Sequence, residues 1–123
     1  LCDKWQTVQW ICVDKTGLGD PIVEDMIQTG IPNVEGVNFT ESKKEEIATV
    51  LKRNMSEGRL KIPYDHDLIN ELNLERFEIT KTGKIHFSHP MGTHDDRFWA
   101  VALASYATRH KPLRGLIDLG KTI

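Results

Sequence analysis

"VQWICVDKTGLGDPIVEDMIQT", residues 8–29, is the stretch that decides the fold. Its first seven residues are apolar, β-branched and aromatic up to Asp14, the pattern of a strand buried on both faces with a charge at its carboxyl end. The glycines of "KTGLGDP" permit a tight backbone path. Asp20 is placed to cap a helix and Pro21 suits its first position, so the spacing predicts a helix over 21–29, stopped at Gly30. Strand, short loop and helix together make the first half of a strand-helix-strand unit.

The second half follows in "VEGVNF", residues 34–39. Ser42 with Glu45 then forms a capping-box pattern opening a long helix over 43–57, ended by Gly58, with Ile47, Val50, Leu51 and Met55 on one face. A short extended "RLKIP" leads into "DHDLINELN", residues 65–73, a small helix. In "RFEITKTGKIHFS", residues 76–88, apolar and polar residues alternate around a glycine-containing turn, which predicts a β-hairpin. The last helix starts near Asp95 and runs to about Arg109. Residues 110–123, broken by Pro and Gly, read as a tail or linker behind a domain spanning 1–109. Strands alternating with helices indicate an α/β fold, with the hairpin added at one edge.

The 123 residues suit one domain or the larger part of one, and 39% apolar content allows a core. Lys and Arg number 16 against 18 Asp and Glu, for a formal charge of -2, so any polyanion site must be a local patch. Cys2 and Cys12 lack metal-ligand spacing, and Cys12 inside an apolar run reads as a free, buried thiol of a reducing compartment. No stretch approaches the roughly 18 consecutive apolar residues of a membrane span, and "LCDKWQ" has no signal-peptide layout. The expectation is a soluble cytoplasmic protein without membrane contact.

Chemistry concentrates in "GTHDDRFWAVALASYA", residues 92–107. One Asp before a helix serves as a cap, and Thr93 could do the same work, yet His94, Asp95 and Asp96 crowd together. Adjacent carboxylates repel unless a cation lies beside them, and Mg²⁺ or Mn²⁺ prefer such oxygen ligands. In open α/β sheets functional groups gather beyond the carboxyl ends of strands, where Asp14 falls, although a strand-end Asp can also simply bond its loop amides. Carboxylates from two such elements, brought together, would suit metal-assisted phosphodiester hydrolysis. The "DHD" at 65–67 reads as a helix cap with a solvated His66, and His86 and His89 read as surface or loop positions. Trp5, Trp10, Phe98 and Trp99 read as core.

The order "VDKTGLGDPIVEDM", "VEGVNFTESKKEEIATVLKRNMSEGRLKIP", "GTHDDRFWAVALASYA" resembles the C-terminal nuclease domain of viral terminase large subunits of the tailed-phage type, from about residue 6 to residue 108. The features that carry it are Asp-x-Thr-Gly-x-Gly at a strand end, Lys43 and Lys44 opening a helix after "NFT", and Gly-x-His-Asp-Asp before an Ala-rich helix. The resemblance implies an RNase H-like fold and a metal-dependent endonuclease, using Mg²⁺ or Mn²⁺, that cuts double-stranded DNA during viral genome packaging in the host cytoplasm. It also implies an upstream ATPase domain, a portal and a small terminase subunit as partners. Asp14 corresponds to an acidic metal ligand at a strand end, and Asp95 and Asp96 to the acidic pair of the last helix. His94 belongs to that motif as a metal neighbour or proton shuttle. In this family a hairpin lies beside the active site, so Lys81, Lys84 and Arg97 become candidates for phosphate contact, against a solvated-turn role.

Two features depart from the family pattern. Its first metal-binding Asp lies on a strand upstream of Asp14, and Asp3 in "LCDKW", read as the end of a helix, cannot replace it. The first strands of the fold are therefore expected to come from another segment, or the chain to be catalytically incomplete. No G-x-x-x-x-G-K-[ST] pattern occurs, and "KTGLGD" lacks its Lys-Ser/Thr ending. A junction resolvase or transposase core would share the carboxylates, and a non-catalytic docking or DNA-binding remnant would keep them without full metal ligation.

Overall fold

The computed structural model describes residues 9–17 and 20–109. They form two compact units, each with its own two-stranded sheet. Expectations for Cys2, Asp3, Trp5, Gly19 and the tail over 110–123 lie outside the described residues.

The first unit holds β1 (Ile11–Asp14), α1 (Pro21–Gln28) and β2 (Val34–Val37), together with Ala107, Thr108 and Arg109. β1 and β2 pair in parallel from Ile11↔Val34 to Asp14↔Val37, with α1 as the crossover that parallel strands require. The strand-helix-strand reading therefore holds, with three differences. β1 is half-buried rather than buried on both faces, because β2 is its only strand neighbour among the described residues. Asp20 occupies the cap position of α1 without capping it; its carboxylate accepts instead from Lys15 Nζ at 2.6 Å. Cys12 is a half-buried free thiol beside Glu35 of β2, at 3.6 Å. Burial, and then the Glu35 charge, push that thiol up to about 11. Glu35 itself accepts from Trp10 Nε1 at 3.0 Å and from Arg109 at 2.6 Å, which ties the residues after α4 to this sheet. Gly36 lets α1 approach: a Cβ there would stand 2.8 Å from Val23 Cγ2.

The second unit, Asn38–Tyr106, holds α2 (Glu41–Ser56), α3 (His66–Leu74), β3 (Arg76–Ile79), β4 (Ile85–Ser88) and nearly all of α4 (Asp96–Ala107). α2 begins two residues earlier than the Ser42–Glu45 box predicts. Thr40 is the cap, its hydroxyl accepting from Lys43 N at 3.1 Å. The phase of the buried face is also corrected: Ile47, Leu51 and Asn54 are buried and Met55 is exposed. Asn54 is tolerated because its amide donates to Ser105 Oγ of α4 at 2.6 Å, so both buried polar groups are satisfied. The core is closed by Leu68 of α3 and by Phe98, Trp99, Ala102, Leu103 and Tyr106 of α4, each large apolar side chain contributing about 1.5–3 kcal/mol on burial. Asp65 caps α3 by accepting from Leu68 N at 3.0 Å, and His66 is exposed, as the "DHD" reading expects. The hairpin pairs Phe77↔Phe87 and Ile79↔Ile85, placing these apolar residues on one face, with Gly83 at φ +82 in the turn.

Candidate metal centre

Helix α4 starts at Asp96, and its first backbone bond, Trp99 N to Asp95 O, makes Asp95 the capping position. Yet the Asp95 carboxylate caps nothing: Oδ2 accepts from the indole Nε1 of Trp99 at 3.0 Å. Thr93 turns the other way, its hydroxyl donating to the Pro90 carbonyl. The cap comes from another helix. Glu71 of α3, buried with 6% of its surface exposed, accepts from the backbone N–H of Arg97 through Oε1 and from the Arg97 guanidinium through Oε2, both at 2.8 Å. Burial alone would push the Glu71 carboxyl up, but the Arg97 guanidinium and the amides of Arg97 and Phe98 hold it below the usual carboxylate range.

That substitution answers why His94, Asp95 and Asp96 crowd together. With the free amide at the helix start satisfied from α3, none of the three is needed as a cap. His94 and Asp96 are exposed, and Asp95 is half-buried. Trp99 anchors the arrangement from beneath. Its ring packs against Phe39, Phe87 and Phe98 with centroids 5.3, 5.5 and 5.0 Å away, which fixes the direction of its N–H and hence of Asp95.

Around Asp95 the structure gathers two residues that sequence reasoning missed. Glu75, just past the end of α3, and His89, just past β4, bring one ligand atom each to within 4.8 Å of one another and of Asp95. His89 Nδ1 lies 3.7 Å from Asp95 Oδ2. His89 is a loop residue, as the sequence reading allows, but it is half-buried beside Asp95 and does not stand out in solvent. His86 is exposed on β4 with its Nδ1 3.5 Å from Glu41. Burial, and then the Asp95 charge, raise the Glu75 carboxyl to about 7. No spacing rule links residues 75, 89 and 95; a Glu at a helix end facing an inward loop His becomes visible only once the hairpin folds back on α4.

Asp14, in the other unit, ends β1 as the sequence predicts. It is exposed, and one oxygen accepts from Thr16 N at 2.9 Å, so the loop-shaping role weighed for it is realised. Asp95 and Asp96, adjacent at the start of α4, offer only carboxylate oxygens, the ligand type that a hard divalent cation such as Mg²⁺ or Mn²⁺ prefers. Lys81 and Lys84 are exposed at the hairpin turn. Arg97 is more committed: besides Glu71, its guanidinium lies 3.7 Å from Asp67, so two carboxylates match its charge.

No protein-family model matches the chain. Over 102 residues it is 28% identical to the terminase large subunits of Thermus phage G20c and Thermus virus P23-45, a match covering 77% of this chain and 20% of each relative. Among solved structures it is similar to the large terminase nuclease from thermophilic phage G20c, with TM-score 0.68 and 27% identity over 81% of this chain and 53% of that one. The same nuclease with bound magnesium and with bound cobalt matches at TM-score 0.68 and 28% identity, over 79% of this chain and 51% and 52% of theirs. The chain thus spans about one fifth of its curated relatives and about half of the solved nuclease chains. In sequence and in fold alike, its relatives are terminase large subunits, and within them the nuclease domain.

Proposed function

We propose that this chain is part of the RNase H-like nuclease domain of a terminase large subunit, a divalent-metal-dependent endonuclease that cuts double-stranded DNA as a viral genome is packaged. The observation that carries the reading is the cap supplied by Glu71, which leaves His94, Asp95 and Asp96 together at a helix start with no structural need for all three. Similarity to a nuclease solved with magnesium and with cobalt supplies the chemical class.

In this reading Asp14, Asp95 and Asp96 are the metal-binding acids of the domain, with Asp95 oriented by Trp99. The bound ions would activate a water and steady the leaving oxygen of the phosphodiester. His94, exposed beside the carboxylates, is placed to carry a proton to or from that reaction. Lys81 and Lys84 extend a positive turn that can meet phosphate, while Arg97 contributes least because its charge is already paired. An ATPase domain, a portal and a small subunit would be the working partners, in the cytoplasm of a host cell.

The test is cleavage of supercoiled plasmid by this chain and by a version extended upstream to the length of the solved nuclease chains. We expect cutting with Mg²⁺ or Mn²⁺, none with chelator, and loss in Asp96→Asn. Metal-independent cutting, or full activity in Asp96→Asn, would overturn the metal centre. A preference for four-way junctions over linear duplex would assign the site to a junction resolvase. No cleavage by either version would leave a non-catalytic remnant.

A further inference from the structure

We propose that Glu75, His89 and Asp95 form a binding site for a divalent transition-metal ion, distinct from the nuclease centre proposed above. The three come from different elements of one unit: the end of α3, the residue after β4 and the residue before α4. Their ligand atoms all lie within 4.8 Å of one another. An ion with bonds of about 2.1 Å holds opposing ligands about 4.2 Å apart, so small side-chain rotations would close the site.

The partner count points the same way. Glu75 Oε1, Glu75 Oε2 and His89 Nδ1 are buried and lack a hydrogen-bond donor among the described residues. A half-buried imidazole with a buried, unpartnered Nδ1 has its lone pair there in the neutral tautomer that keeps its proton on Nε2, and that lone pair is what a metal takes. The two carboxylates face each other at the same spot, and a cation between them removes their repulsion. Lys44 offsets that repulsion only in part: its charge draws the Glu75 carboxyl down less than burial and Asp95 push it up, its Nζ lies over the Trp99 ring, 5.3 Å from the centroid, and no ion pair joins it to either carboxylate among the described residues. One nitrogen with two carboxylates suits Zn²⁺, Co²⁺ or Mn²⁺ and suits Mg²⁺ poorly, since Mg²⁺ demands oxygen ligands and gives up water reluctantly. Such an ion would clip α3, the hairpin and α4 together and add to the hold that Trp99's N–H has on Asp95.

The site shares Asp95 with the proposed nuclease centre but does not depend on it. The experiment therefore uses the 123-residue chain carrying Asp14→Asn and Asp96→Asn, with Co²⁺ as probe in excess Mg²⁺ and calorimetry as readout. We expect Co²⁺ to bind in this background, and His89→Gln or Glu75→Gln to weaken it at least tenfold. In the unmodified chain, where no variant can misfold, Co²⁺ should broaden the imidazole signals of His89 and leave those of His66, at the far end of α3, sharp. Absence of Co²⁺ binding, equal affinity in His89→Gln, or unperturbed His89 signals would overturn the site and leave Glu75 and Asp95 sharing a proton instead. Co²⁺ binding together with no cleavage by either this chain or the version extended upstream would sink the nuclease reading and leave this site standing.

Discussion

At the scale of single residues the determining contact is the loan of a cap from α3 to α4. Glu71 satisfies a backbone donor and a guanidinium with one buried carboxylate, so removing it leaves both partners short at once. Glu71→Ala should cost about 1.5–3 kcal/mol in urea unfolding, the range for hydrogen bonds to charged groups. Its pH dependence follows from the depressed folded-state value. The Glu71 carboxyl binds its proton less readily when folded than in the unfolded chain, where it titrates near 4.5, so its stabilisation is present above that pH. As pH falls below about 4.5 and through the depressed value, that contribution is lost. The wild type should therefore lose stability faster than Glu71→Gln across that acid window. Parallel acid profiles for the two proteins would show that the Arg97 pairing adds nothing.

At the scale of elements, what the sequence made legible and what it hid divide along a physical line. The β1–α1–β2 unit, α3 and the hairpin were readable because each is specified by contiguous residues: the Pro21 start, the Asp65 cap, and the alternation from Phe77 to Phe87. The start of α2 is not decided by residue type, because Thr40 and Ser42 are both good cap formers; the extended backbone at Thr40, with its hydroxyl accepting from Lys43 N, decides it. Thr40→Ala should thus cost about 1 kcal/mol and Ser42→Ala close to nothing in thermal unfolding, and the reverse order would restore the capping box. His89 and Glu75 were hidden for a different reason, since their meeting depends on long-range docking that no local pattern encodes. For the hairpin, Lys81→Ala with Lys84→Ala should weaken DNA binding alike for all sequences. It should also lower the salt dependence by about one in slope for each phosphate that is no longer neutralised. An unchanged slope would return both lysines to a solvated turn.

At the scale of the whole molecule, the proposed function rests metal binding on both Asp14 and Asp96, and the two can be removed singly and together. Two ligands of one ion are not independent. Removing the first abolishes most of the affinity, and removing the second then has little left to remove, so their effects are strongly non-additive. Asp14→Asn and Asp96→Asn should each reduce Mg²⁺ affinity at least tenfold, and the double variant should bind no more weakly than the weaker single one. The same linkage reaches stability: at 100 times its dissociation constant, Mg²⁺ should stabilise the wild type by about 2.7 kcal/mol. That gain should disappear in either variant. Additive effects would mean that Asp14 and Asp96 are not ligands of one ion, and the proposed set would shrink to the carboxylates at the start of α4.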